Sequence, residues 1–200
     1  LKASAGKITF TWADSKTNSG RTFDRDRINA IYRSSGNKLH ITEVKKKAKK
    51  TFSPALYDLT ALQREANQRY GYSAKMTLNI MQWLYENHKV LTYPRTDSRY
   101  LTSDRLSMQE IRANKSFVDN SKVSDHHAII PTEQYVQLEH MSSDERKIYD
   151  LVVRRFLAVL SPACEYEETS ITGTMGTEQF HAKGNVILKA GWKEVYEAGW

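Results

Sequence analysis

Apolar and polar residues alternate over residues 7–13, with Ile8, Phe10 and Trp12 on one side and Lys7, Thr9 and Thr11 on the other, the period of a half-buried β-strand. Residues 14–20 are polar and turn-rich, and residues 23–32 suit a short helix, with Asp24 near its start and Gly36-Asn37 closing the loop behind it. Leu39, Ile41 and Val44 suggest a second strand running into Lys45-Lys46-Lys47-Ala48-Lys49-Lys50. That run reads as a solvated sheet edge, with a phosphate-contacting patch as the alternative. From Pro54 the period turns helical. Thr60 with Gln63 reads as a capping box, Gly71 as a C-terminal stop, and Ser73 as the start of a second helix that puts Met76, Ile80, Trp83 and Leu84 on a core and ends near Asn87-His88. Residues 103–113 suit a helix and 114–124 a polar loop. A second capping box, Ser142 with Glu145, precedes the stripe Ile148, Leu151, Val152, Phe156 and Val159, which Ser161-Pro162 stops. Strands then return at 166–174, 180–189 and 192–196, punctuated by Gly173, Gly176, Gly184 and Gly191.

Strands at both ends of a helical middle predict an α+β fold, in which a helical domain is inserted into a discontinuous antiparallel β domain. The expected boundaries are 1–57 for the first β segment, 58–161 for the helical domain and 162–200 for the second β segment. Two hundred residues suffice for a real core. The net charge of +7 favours an acidic polymer as partner. The single cysteine, Cys164, excludes an internal disulfide and suits a reducing compartment. No apolar run approaches the roughly 20 residues of a membrane span. The expectation is a soluble, cytoplasmic chain without a membrane partner. Because it starts without methionine and ends on Trp200, it is also expected to be a piece of a longer protein.

Candidate chemistry concentrates in residues 91–100, L-T-Y-P-R-T-D-S-R-Y. Val90, Leu91 and Thr92 favour an extended segment, and Pro94 keeps Tyr93 out of the helical region, so the phenol is presented as a nucleophile. Arg95, two residues on, projects to the same side if the segment stays extended, where one phosphodiester could meet both groups. A Tyr-Pro turn beside a solvated arginine fits the same residues. A second block, Ser124-Asp125-His126-His127-Ala128-Ile129-Ile130-Pro131-Thr132, carries adjacent histidines that point to opposite faces of a strand, with no carboxylate or thiol cluster to complete a zinc site. Asp24 and Asp26 have the Asp-x-Asp spacing of a metal pair but stand among arginines without a supporting strand. No metal ligand is therefore assigned.

The run from Leu91 to Tyr100 resembles the active-site tyrosine motif of type IA DNA topoisomerases, and Pro94 with Arg99-Tyr100 resembles the topoisomerase III branch. The second block is similar to that family's His-x-Ala-Ile-x-Pro motif, and residues 59–63 and 149–156 match more loosely. The resemblance implies a helical tyrosine domain on a β hinge domain. It implies DNA strand breakage and rejoining through a 5′-phosphotyrosine intermediate, with Tyr93 and Arg95 catalytic and with His126 and Arg95 contacting DNA phosphate. It also implies Mg2+ in the intact enzyme, held by an acidic domain that this chain lacks, so that the chain alone binds no cofactor and is inactive. Its expected partners are single-stranded DNA and that missing domain. The rival reading is a non-catalytic module for single-stranded DNA in which Tyr93 stacks on a base.

Overall fold

Phe10 and Trp12 occupy alternate positions of a short strand, and both are buried; their burial fixes which face of the sheet is the core. The computed structural model describes residues 1–14, 17, 19–34, 38–103 and 116–197. The helix expected over 103–113 lies almost wholly outside the described residues, as does the Gly36-Asn37 loop. The chain divides into two compact units, residues 1–50 with 165–189 and residues 51–164 with 190–200.

The first unit is built on a five-stranded sheet. Its strands are β1 (Lys2–Ala5), β2 (Ile8–Ala13), β3 (His40–Thr51), β4 (Cys164–Met175) and β5 (Glu178–Lys189), in the order β1-β2-β5-β4-β3. The β1–β2, β2–β5 and β5–β4 ladders are antiparallel. The α+β class and the discontinuous sheet are thus as the hydrophobic pattern predicts, because β4 and β5 return from beyond the helical middle to join β2. Helix α1 (Arg25–Ser34) contributes Ile31 to a core of Phe10, Trp12, Phe180 and Ala182. The Trp12 indole N–H donates to Glu178 at 2.6 Å, and Arg27 pairs with the buried Asp14 at 2.6 Å. The lysine run lies on β3 at the sheet edge, where Lys46, Lys49 and Lys50 pair with Glu167, Glu168 and Glu165. Charges along an outer strand discourage pairing with another chain.

The second unit packs α2 (Leu59–Tyr70), α3 (Ala74–Glu86) and α4 (Ser143–Leu160) around Leu62, Ala66, Met81, Leu84, Ile148, Leu151 and Val152. Caps set its helix ends. Gly71 takes φ 71° and closes α2, Ser73 caps α3 through the Met76 N–H, and Ser142 with Glu145 forms the expected capping box on α4. Three expectations need correction. The cap of α2 is Asp58, not Thr60 with Gln63: its side chain accepts from the Ala61 N–H at 2.6 Å, and a carboxylate at the positive helix end outcompetes a hydroxyl. Trp83 is 52% exposed, since Thr77, Met81 and Leu84 take the buried face of α3. Residues 192–196 form no strand. Gly191 turns at φ 55° so close to Ala163 that a Cβ would lie 2.5 Å from its carbonyl oxygen, and the chain enters a 3-10 turn (Gly191–Lys193) and α5 (Glu194–Glu197). That tail is held within the second unit by Trp192 Nε1 donating to the Thr51 carbonyl and by Arg154 donating to the Val195 carbonyl, both at 2.9 Å.

Candidate active site

The chain leaves α3 through Lys89, passes 90–92 and bends at Pro94. Residues 90–92 run beside 130–132: Thr92 N–H donates to Ile130 O and Thr132 N–H to Val90 O, both at 3.0 Å, around a bridge between Leu91 and Pro131. The Thr92 hydroxyl donates to Ala128 O at 3.2 Å and accepts from Ile130 N–H at 3.0 Å. The buried Thr96 then donates to His126 O at 3.0 Å. Two sequence blocks some thirty residues apart are therefore stitched side by side through backbone and threonine hydroxyls, which fixes their register without burying a charge.

That stitching puts the Tyr93 ring on the His126 ring, with centroids 4.3 Å apart and planes inclined by 37°. From α3, Tyr85 meets Tyr93 edge-on at 5.5 Å. Such tilted and edge-to-face contacts hold a ring in place beyond their apolar burial. The phenol is half-buried, and among the described residues its oxygen has no hydrogen-bond partner. It borders a cleft of about 640 Å³ that Lys89, Glu86, Asp125, His126 and His127 also line. Arg95 is exposed and lies outside that lining, because the bend at Pro94 interrupts the extended segment that was to aim it with Tyr93. Tyr93 and His126 are brought together, and Arg95 is not brought to them.

Arg99 has a different task. Its Nε donates to Asp58 at 2.5 Å, on the carboxylate that caps α2, while Leu59 N–H donates to Thr96 O at 3.0 Å. The tyrosine loop is thereby tied to the start of α2. His127 Nδ1 lies 2.7 Å from Ala128 O, a local contact. Sequence reasoning missed Tyr85, Lys89, Thr92 and Thr96. Nothing in the neighbours of Thr96 signals a partner thirty residues away. Among the described residues no group of three or more His, Cys, Asp or Glu is arranged to hold a metal ion. Asp24 accepts from Arg27 N–H at 2.9 Å near the start of α1, a capping role.

A family model described as DNA topoisomerase matches residues 1–200. The chain is 53% identical over 96% of its length to DNA topoisomerase 3 of Bacillus thuringiensis (strain Al Hakam), covering 29% of that protein. It is 46% identical over 98% of its length to DNA topoisomerase 3 of Bacillus subtilis (strain 168), covering 30%. Among solved structures, full-length topoisomerase I from Thermotoga maritima aligns with a TM-score of 0.69 and 27% identity, over 96% of this chain and 34% of that one. The chain thus spans about three-tenths of the curated relatives it matches.

Proposed function

Because the chain belongs to the DNA topoisomerase family, we propose that it supplies the nucleophile of a type IA enzyme that breaks and rejoins one DNA strand, with Tyr93 as the attacking residue. The observation that carries this reading is the Tyr93 phenol: ring fixed between Tyr85 and His126, oxygen uncommitted, facing an open cleft. In the step proposed, the phenol gives up its proton and its oxygen bonds to phosphorus. The bond from phosphorus to the 3′ oxygen breaks, and that oxygen takes up a proton. One phosphate ester replaces another, so the reverse step reseals the strand without a nucleotide cofactor.

An ordinary phenol has a pKa of about 10, so attack at neutral pH needs a cation where charge develops. Arg95 is exposed and free to swing onto the non-bridging oxygens once a strand lies in the cleft, and its planar fork suits two of them. His126, stacked on Tyr93, would orient the phosphate and hold the phenol to it. The donor for the leaving oxygen and the site of Mg2+, which would neutralise phosphate charge and align the strand, are assigned to the part of the whole protein outside this chain. The described residues offer no fitting ligand cluster. No described helix is long and apolar enough to cross a membrane.

The test mixes labelled single-stranded DNA and Mg2+ with the intact protein, denatures it and maps any DNA that travels with it. A 5′-phosphate adduct on Tyr93 is expected from the intact protein and none from these 200 residues alone. An adduct formed by the isolated chain would show that the site is complete within it.

A further inference from the structure

Three residues past the end of α3, the chain places a residue that does not suit its backbone. Asn87 and His88 N–H close onto Trp83 O, and Val90 N–H onto Leu84 O, with Lys89 between them at φ 58°. Among the described residues it is the only non-glycine with positive φ. The left-handed turn that follows α2 is made by a glycine, Gly71. A left-handed backbone crowds a lysine Cβ against its own carbonyl oxygen, so glycine would be the more stable choice. The surroundings hold the strain in place: Thr132 Oγ1 donates to Lys89 O at 2.6 Å, and the next residue, Val90, is buried and paired with Thr132. Strained positions of this kind cluster at active sites and ligand clamps.

The side chain of Lys89 lines the cleft beside Tyr93 and His126 and has no ion pair or hydrogen bond among the described residues. Among the described residues it is the only lysine or arginine in a lining that also includes Glu86 and Asp125. Those carboxylates repel a phosphodiester, and the Lys89 ammonium offsets them where an anionic strand would settle next to the phenol. Resting on the reading of the cleft as a DNA site, we propose that Lys89 is a phosphate-binding residue that anchors the backbone of single-stranded DNA beside Tyr93, and that fold stability is given up for it.

The two halves of that statement are measured together on this chain, using a single-stranded oligonucleotide at several salt concentrations and thermal unfolding of the same samples. Lys89→Gly is expected to melt about 2–4 °C higher than wild type and to bind several-fold more weakly. The slope of log K against log salt should become shallower by about 0.7, the share of one phosphate contact on a single strand. Lys89→Gln should lose the same binding without the rise in melting temperature, and Lys89→Arg should keep it. Unchanged affinity and slope in Lys89→Gly and Lys89→Gln, with wild type binding, overturns the role of Lys89 and leaves the cleft a DNA site. Absence of oligonucleotide binding by wild type even at low salt overturns the DNA reading and this inference with it.

Discussion

Tyr57 and Tyr93 belong to the same unit, the first with an arginine against it in space and the second with one two residues on in sequence, and the structure treats the two phenols oppositely. Tyr57 is 1% exposed, donates to Glu65 at 2.5 Å, accepts from Arg155 at 3.1 Å and lies 4.1 Å beneath its guanidinium. Burial first, and then the bond to Glu65, push its pKa far above the ordinary phenol range, and the adjacent Arg155 charge only partly opposes them. Arg155 is itself committed to Glu65 at 2.5 Å, to the Ala55 carbonyl and to the Tyr196 hydroxyl. Tyr93 instead has a fixed ring and, among the described residues, an oxygen without a partner and an uncommitted arginine two residues away. A cation touching a phenol does not make a nucleophile when both are buried and spent on other partners. The tyrosine we propose as reactive is the one whose oxygen is kept open.

The largest effect should come from breaking the closed phenol's network. Glu65→Leu leaves the Arg155 charge buried and unpaired, and should destabilise the protein by about 3–5 kcal/mol in denaturant unfolding. Tyr93→Phe, which removes an oxygen that bonds to nothing among the described residues, should stay within about 0.5 kcal/mol of wild type. A loss below about 1 kcal/mol for Glu65→Leu would mean the network is no more than a surface ion pair. Next comes the open phenol's arginine. In the intact protein Arg95→Ala should slow strand cleavage by about 10²–10³-fold while weakening DNA binding much less, since its charge is needed most when the phosphate is pentacoordinate. His126→Ala should lower both. If Arg95→Ala changed affinity alone, Arg95 would be an anchoring contact and the contrast with Arg155 would narrow.

The smallest effect is a pH dependence carried by Tyr57. Its folded pKa is raised above the unfolded value of about 10, so the native state keeps a proton that the unfolded chain releases. The stability this contributes is whole below about pH 10 and is lost as pH climbs beyond it, by up to about 1.4 kcal/mol per pH unit. Tyr57→Phe should flatten that alkaline limb in unfolding curves collected from pH 9 upward. An unchanged limb would place the sensitivity elsewhere.

What the sequence made legible was local. The Gly71 stop, the Ser73 cap and the Ser142 with Glu145 box were visible because each is settled within four residues. The alternation around Phe10 and Trp12 marked the sheet core for the same reason. The cap of α2 is a local misreading, Asp58 standing two residues before Thr60, and the others arise where tertiary contacts decide. Trp192 looked strand-like by type, but the turn at Gly191 against Ala163 and the bond to Thr51 coil it onto the helical unit. Trp83 matched a core position by spacing and is exposed because Met81 and Leu84 define the buried face. The site divided in the same way. Tyr93 and His126 could be named from their motifs, whereas Tyr85, Thr96 and Lys89 join them through contacts that no local pattern announces. Spacing alone aimed Arg95 with Tyr93, and the bend at Pro94 removes the extended backbone which that argument assumed.

The most direct test sets the two phenols against each other in one assay. Tyr57→Phe and Tyr93→Phe in the intact protein are each incubated with labelled single-stranded DNA and Mg2+, denatured, and scored for DNA that migrates with protein. Tyr57→Phe is predicted to capture DNA as wild type does, and Tyr93→Phe to bind DNA normally and capture none. Covalent capture retained by Tyr93→Phe would contradict the account.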